Sequence, residues 1–341
     1  MNSPPRPPIA VHFVLLPDSL ILDWAGPAEA LRIGNQLCLA QGLPPAFSLH
    51  FVGPQAQAVS SVGAVIAGIT PLPALQATDE ASPCHWVVLV GQPGSSIALD
   101  SPAALDVLHW LRGLRLEAGR LELMCICAGT LIAARAGLLA GRRATTHHQH
   151  LDELRGAEAN CEVVANRVFV EDGPVFSSAG VTTGIDLVLH RMAAVCGEAL
   201  VAQVAQTMVV ALRRGPNDPE LSPFLQHRNH MHPALHRVQD AISLRPAAEW
   251  TVPRMAELAH VSPRHLTRLF VAHAGIAPLH YLRGLRLASA EAVLRAGGGN
   301  VTQAAAQAGF SSDAQLRRTW RQFGKADTPS ERKPQPASVP E

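Results

Sequence analysis

The sequence predicts an α/β open-sheet sandwich followed by an all-α domain that contains two helix-turn-helix units. In the first two thirds of the chain, short apolar runs alternate with helical patterns, which is typical of a parallel sheet covered by helices on both faces. The last third shows helical periodicity only, and one helical pattern occurs there twice. The net charge also changes sign, from −6 over residues 1–227 to +7 over residues 228–341. A basic second part favours a polyanionic partner.

The composition limits the class of protein. Apolar residues make up 48% of the 341 residues and charged residues 16%, so the chain can bury a core and is not disordered throughout. No apolar run is long enough to span a membrane, and the Pro-rich start lacks the pattern of a signal peptide. The six cysteines form no CxxC pair, which argues against a disulfide framework or a structural zinc site. We therefore expect a cytoplasmic protein with no metal and no cofactor.

The elements of the first domain follow from the alternation of apolar and helical patterns. The expected strands are 9–16, 47–52, 86–90 and 121–126, with a hairpin of 167–170 and 175–177, and the expected helices are 25–39, 103–117, 129–139 and 185–212, the last broken near Gly197. Pro, Gly and polar residues then form an expected linker. The expected divisions are a tail at 1–8, a first domain at 9–212, a linker at 213–231, a second domain at 232–332 and a tail at 333–341.

Cys127 is the strongest candidate site residue of the first domain. An apolar strand runs directly into it, and Ala128 and Gly129 open an Ala-rich helix. This order resembles a nucleophile elbow, in which small neighbours give a strained side chain clearance. The helix N-terminus would lower the pKa of the thiol and offer backbone N–H groups to an anion. The alternative is a buried structural cysteine, which is how we interpret Cys125.

Two further segments provide candidate ligand-binding residues at the carboxyl ends of the strands, and a separate histidine-rich segment provides another candidate. Asp23 follows the first strand, where it could bind a ligand, cap a helix, or do both. Gly91 and Gln92 follow the third strand and could present N–H groups to a bound carbonyl, although such loops are often plain turns. His147 begins a histidine-rich segment in which residues 147 and 150 would share a helix face. We expect a pocket role for His147 rather than a metal site, because further ligands are not evident.

The second domain repeats a short helix, a tight turn and a capped second helix. In each copy, one face of the capped helix is apolar and the other is polar. Arg, Gln and Thr side chains suit base edges and phosphates in a major groove. The alternative is an ordinary helical hairpin whose charged face contacts only water. The occurrence of two copies in a basic segment favours DNA binding over this alternative. The predicted DNA-contacting residues are Arg264, His265, Thr267 and Arg268 in the first copy, and Asp313, Gln315, Arg317 and Arg318 in the second.

Four segments of the first domain resemble the ThiJ/PfpI family, also called class I glutamine-amidotransferase-like. They are 22–27 (LDWAGP), 127–129 (CAG), 136–147 (AGLLAGRRATTH) and 178–186 (SAGVTTGID). The resemblance implies a flavodoxin-like sandwich with Cys127 at the elbow. An isonitrile-hydrating subfamily pairs the cysteine with an acidic residue at the position of Asp23. Ala128 stands where family members place a histidine, a threonine or a serine.

The second domain resembles the AraC/XylS family. The resemblance rests on 256–259 (AELA), 262–270 (SPRHLTRLF), 275–290 (GIAPLHYLRGLRLASA) and 305–318 (AAQAGFSSDAQLRR). It implies two helix-turn-helix units joined by a long helix at about residues 278–294, which enter successive major-groove segments of one duplex.

The two resemblances together imply a transcriptional regulator with an amidase-like sensing domain. Its expected partners are promoter or operator DNA, a small nitrogen-containing effector such as an amino acid or amine, a second copy of the chain, and RNA polymerase if it activates. One alternative is a cysteine-dependent hydratase or hydrolase that carries a DNA-binding domain, with Asp23 or His147 as proton-transfer partner. Another is a redox sensor that acts through Cys127.

Overall fold

The protein folds as two compact units, residues 1–220 and 221–341. The computed structural model describes residues 7–75, 83–94, 97, 99–210, 215–216, 227–228, 230–295, 299–325 and 328–331. Most of the expected tail at 1–8, most of the expected linker at 213–231 and the whole expected tail at 333–341 lie outside these residues. Within them, no helix is both long and apolar enough to cross a membrane.

The first unit contains ten strands in its described residues. They are β1 (Ile9–Val14), β2 (Phe47–Val52), β3 (Gln57–Val59), β4 (Val65–Ala67), β5 (His85–Leu89), β6 (Leu121–Ile126), β7 (Arg143–Ala144), β8 (Glu162–Val163), β9 (Phe169–Asp172) and β10 (Val175–Ser178). Six of them form the main sheet in the order β2-β1-β5-β6-β10-β9 and correspond to predicted strands, whereas β3, β4, β7 and β8 were not predicted. All neighbours in this sheet are parallel except β9 and β10, which form the expected antiparallel hairpin.

Helices connect the strands and cover the sheet. They are α1 (Ile21–Ala40), α2 (Pro102–Arg112), α3 (Gly129–Arg135), α4 (Leu151–Ala157), α5 (Thr183–Cys196) and α6 (Glu198–Thr207). α1, α5 and α6 contact one another, whereas α3 contacts α2 and α4. Every residue of β6 is buried, as expected for a strand covered on both faces. The predicted open-sheet sandwich is confirmed.

All four predicted helices of the first unit have different bounds in the structure. Helix α1 begins at Ile21 rather than at residue 25. The break predicted near Gly197 in the expected helix at 185–212 is confirmed, because Gly197 has a φ of +81° and separates α5 from α6. The expected helices at 103–117 and 129–139 end earlier, at Arg112 and Arg135. Gly137, with a φ of +80°, stops the second of these, because a left-handed residue ends an α-helix.

The second unit is all-α in its described residues. Its helices are α7 (Pro233–Leu244), α8 (Val252–Ala259), α9 (Pro263–Leu269), α10 (Pro278–Arg295), α11 (Val301–Gln307) and α12 (Asp313–Gln322). The long helix α10 contributes Tyr281 and Leu285 to a core with α7, α8 and α9, and Ala290 and Leu294 to a second core with α11 and α12. Two small cores joined by one helix confirm the predicted double helix-turn-helix arrangement.

Candidate functional site

Cys127 occupies a sharp turn between β6 and α3. Its φ is +57°, an uncommon conformation for a residue with a side chain. Its N–H donates to the Ser178 carbonyl oxygen at 3.0 Å, and its carbonyl oxygen accepts from the Thr146 hydroxyl at 2.9 Å. Only 4% of the residue is exposed. These bonds hold the strained backbone that an elbow requires.

Two glycines allow the neighbouring loops to pack directly against the Cys127 side chain. A Cβ atom at Gly180 would lie 2.6 Å from Cys127 Sγ and 2.2 Å from its Cβ. A Cβ atom at Gly91 would lie 2.9 Å from Cys127 Cβ and also 2.9 Å from Asp23 Oδ2. Contacts below 3 Å leave no room for a side chain at either position. The loops after β5 and β10 therefore pack directly against Cys127, and the Asp23 carboxylate lies beside Gly91.

Asp23 lies in the first turn of α1 and is fully buried. Leu20 caps that helix, so the expectation that Asp23 is its N-cap is wrong. Instead its carboxylate accepts from the N–H of Gly91 at 2.9 Å and of Val181 at 3.0 Å. Burial raises the pKa of Asp23 to about 6, and the two backbone hydrogen bonds oppose the rise. Because Gly91 N–H is bonded to Asp23, it does not face a ligand carbonyl in this conformation.

Gln92 fastens the loop after β5 to the segment that precedes α1. Its side-chain Nε2 donates to the Pro17 carbonyl oxygen at 2.6 Å. Its Oε1 atom is buried without a hydrogen-bond partner among the described residues, as is the indole Nε1 of Trp24. Unsatisfied buried polar atoms are uncommon in native proteins and point to a missing partner.

His147 precedes a 3₁₀ turn at His148–His150, in which residues three apart lie on the same side, and the ring centroids of His147 and His150 are 6.2 Å apart. Its Nδ1 atom accepts from the Gln149 N–H at 3.5 Å. Burial and then the neighbouring His148 and His150 lower the pKa of His147 to about 4. The residue that contacts the Cys127 backbone in this segment is Thr146.

The structure thus brings Cys127, Asp23 and Gly91 together, with Ala128 fully buried at the start of α3. Sequence reasoning missed Gly180 and Val181 as members of this site. They lie in the segment 178–186 that carried the family resemblance, and the glycine that follows β10 was the available signal.

The capped helix α9 presents the polar face predicted for DNA contact. The Ser262 hydroxyl caps it by accepting from the His265 N–H at 3.3 Å, while Leu266 is buried. Arg264, Thr267 and Arg268 are exposed, and His265 is half-buried. The two arginines make no hydrogen bond or ion pair with the described residues, so they are available to phosphates or bases.

Helix α12 is capped in the same way by Ser312. More of its polar side chains than those of α9 have hydrogen-bond or ion-pair partners within the second unit. Gln315 Oε1 accepts from the Ser311 N–H at 2.8 Å. Arg317 donates to the Ser330 hydroxyl at 2.9 Å and lies 3.9 Å from an Asp313 carboxylate oxygen. Arg318 is exposed, whereas Asp313, Gln315 and Arg317 are half-buried.

Each of the two units contains a range that matches a known protein family or domain model. A family model described as a helix-turn-helix domain matches residues 255–331. A model described as the DJ-1/PfpI family matches residues 48–194. The first match contains α9 and α12, and the second contains Gly91, Cys127 and Gly180.

Several similar proteins align with most of this chain. The HTH-type transcriptional regulator CdhR of Pseudomonas aeruginosa is 28% identical over 96% of this chain and 93% of its own length. The HTH-type transcriptional regulator GlxA of Rhizobium meliloti is 27% identical over 92% of each chain. An isonitrile hydratase of Pseudomonas putida is 29% identical over 62% of this chain and 81% of its own length. The chain therefore combines a domain of the DJ-1/PfpI family with a helix-turn-helix domain, and over most of its length it is similar to HTH-type transcriptional regulators.

Proposed function

We propose that this protein regulates transcription by binding promoter DNA through α9 and α12, under the control of a small nitrogen-containing effector held beside Cys127 and Asp23. The observation that carries the proposal is the exposed, capped helix α9, with Arg264, Thr267 and Arg268 on its solvent face. An α-helix with this side-chain set fits the major groove, where arginine recognises guanine and phosphates. A cytoplasmic location and a homodimer are part of the proposal, as is contact with RNA polymerase if the protein activates.

The chemistry of the buried site favours an effector with N–H groups or positive charge. The charged group that the structure places beside Gly91 and Val181 is the Asp23 carboxylate, which accepts hydrogen bonds. A ligand ammonium or amide N–H could replace the backbone N–H groups of Gly91 and Val181 on the carboxylate. This exchange would release the two loops that cover Cys127. The effector would then favour the conformation in which these two loops are released, by an amount set by its difference in affinity for the two conformations.

We infer that the site senses its ligand and does not turn it over. Gly180 closes on the Cys127 thiol, and Ala128 supplies neither a hydroxyl nor an imidazole beside it. The similarity to an isonitrile hydratase supports a catalytic alternative, in which Asp23 would be the proton-transfer group. Replacing Cys127 with Ser separates the two: an enzyme loses turnover of isonitriles, nitriles or amides, whereas a sensor shows no turnover before or after the change.

The regulatory proposal is tested by incubating the purified full-length chain with fragmented DNA of its own genome at two salt concentrations. Recovery of discrete fragments that persist at the higher salt supports the proposal. The genes beside those fragments then narrow the class of effector. Uniform recovery that collapses with salt indicates only a basic surface and refutes sequence-specific regulation.

A further inference from the structure

A cavity of about 880 Å³ lies in the first unit, at the amino ends of the parallel strands. Its walls include Ile9 at the start of β1, Trp86 and Glu122 near the starts of β5 and β6, and the last turns of α1 and α5. Cys127 follows the last residue of β6, so the cavity and the Cys127 site lie at opposite ends of the same strand. Small-molecule sites typically have volumes of about 300–1,000 Å³, a range that includes this one. We call it the amino-end cavity.

Most residues that line the amino-end cavity are apolar. Leu43 and Val195 are large aliphatic residues of this wall, and both are exposed in the first unit. Pro44 and Pro45 continue the wall beside Leu43 with little conformational freedom. Apolar surface that lines a cavity and faces solvent is typical of a binding site. The wall therefore fits a ligand with an apolar body.

The charged lining of the amino-end cavity favours an anion. It consists of Glu122, Arg191 and Arg120. Both oxygens of Glu122 already accept hydrogen bonds, from the Gly119 N–H at 2.9 Å and from Arg191 Nη2 at 2.7 Å. Arg120 lies 3.5 Å from Glu117, whose side chain is exposed, and such surface pairs are weak. The lining thus contains two positive charges and one negative charge that is already paired.

Arg191 presents its guanidinium in a fixed position. Its Cζ atom lies 4.2 Å from the centre of the Phe176 ring and 5.8 Å from that of Trp86. Its Nη2 atom donates to Glu122, and Arg191 makes no other hydrogen bond or ion pair with the described residues. The side chain is 18% exposed and lines the cavity, so the remaining donors at Nη1 can meet a ligand. A guanidinium that is held before binding loses little freedom when it binds a carboxylate.

We propose that the amino-end cavity binds a small carboxylic acid with an apolar body. The carboxylate accepts hydrogen bonds from Nη1 of Arg191, and the apolar body covers Leu43 and Val195. A phosphate or sulfate ion would leave this apolar wall facing water, and an ammonium group would lie against the guanidinium. The site is separate from the Cys127 site, and its test depends neither on DNA nor on the effector of the proposed function.

The test is calorimetric titration of the full-length protein with sodium octanoate, a carboxylate with an aliphatic chain. The wild-type protein should bind one equivalent. Octan-1-ol has the same chain without the charge, and acetate has the charge without the chain. Each should bind at least about tenfold more weakly than octanoate, because it lacks either the charged hydrogen bond or the apolar contact.

Two variants, each with a matched control, locate the binding. Leu43→Asp places a negative charge in the cavity wall and should weaken octanoate binding at least about tenfold. Leu39→Asp is its control, because Leu39 is exposed at the end of α1 and is not among the lining residues. Arg191→Gln should weaken binding by the same factor, whereas Arg155→Gln removes an exposed arginine paired with Asp152 and should leave binding unchanged.

Arg191→Gln also removes the partner of Glu122, so circular dichroism must show that this variant is folded. Leu43→Asp changes an exposed residue and keeps the test decisive if Arg191→Gln misfolds. The proposal is wrong if the wild-type protein does not bind octanoate, or if octan-1-ol binds as tightly as octanoate does. It is equally wrong if Leu43→Asp and Leu39→Asp bind octanoate with the same affinity.

Discussion

Replacing Gly180 with Ala should destabilise the first unit far more than the same change at another glycine of similar backbone conformation. Gly180 has a φ of +98°, and a Cβ atom there would lie 2.2 Å from Cys127 Cβ and 2.6 Å from its Cα. A residue with a side chain in the left-handed region costs about 1–2 kcal/mol. Forcing an extra methyl group into a packed site adds about 1–3 kcal/mol. We therefore expect a total loss of about 2–5 kcal/mol.

Gly137→Ala is the matched control. Gly137 has a φ of +80° directly after α3, but nothing lies within 4 Å of the Cβ atom that alanine would add. Only the cost of the left-handed backbone applies, so this variant should lose about 1–2 kcal/mol. Urea denaturation gives both values, and hydrogen exchange of the β6 and β10 segments identifies the transition of the first unit. Equal losses in the two variants would refute the close approach of Gly180 to Cys127.

Three further predictions concern charge and hydrogen bonds. Folding raises the pKa of Asp23 from 3.8 to about 6, so its contribution to stability is fully present below pH 3.8 and is lost as the pH rises through 6. The free energy of unfolding of Asp23→Asn relative to wild type should therefore rise by up to about 3 kcal/mol between pH 4 and pH 7, as measured by denaturation at both pH values. An unchanged difference would contradict the burial argument. Arg286→Ala should cost the second unit about 2 kcal/mol in thermal unfolding, because Arg286 donates to the Pro246 and Ala248 carbonyl oxygens at 2.9 and 2.8 Å, whereas exposed Arg283→Ala should cost little. Gln315→Ala should weaken operator binding in a filter or gel assay less than Arg268→Ala does, since Gln315 already bonds Ser311.

Much of the fold can be predicted because its signals are local. The strands at 47–52 and 121–126 have the predicted bounds, since each is a short run closed by a turn or by a helix start. The caps Ser262 and Ser312 likewise mark α9 and α12. The hairpin of β3 and β4 was not predicted, because its valines Val59 and Val65 are largely exposed and follow no buried pattern.

The site could be predicted only in part, because its decisive contacts join distant segments. The strand-to-helix order predicts the turn at Cys127 directly. The role of Asp23 depends on the N–H of Val181, which is 158 residues away in the sequence. A pattern near Asp23 indicates a helix cap, whereas the fold buries the carboxylate and gives it two backbone donors. The closure of Gly180 over the thiol depends on β10 lying beside β6, which local periodicity does not specify.

The measurement that tests the central claim most directly is the affinity of the full-length protein for a recovered operator at two salt concentrations. Arg268→Ala should lower the affinity by about 1–3 kcal/mol, roughly 5- to 150-fold, because we propose that this exposed arginine of α9 contacts a base or a phosphate. Arg32→Ala removes the same charge from a surface pair with Glu29 in the first unit and should change nothing. If affinity and salt dependence are the same in wild type and in Arg268→Ala, α9 does not read DNA and the account is contradicted.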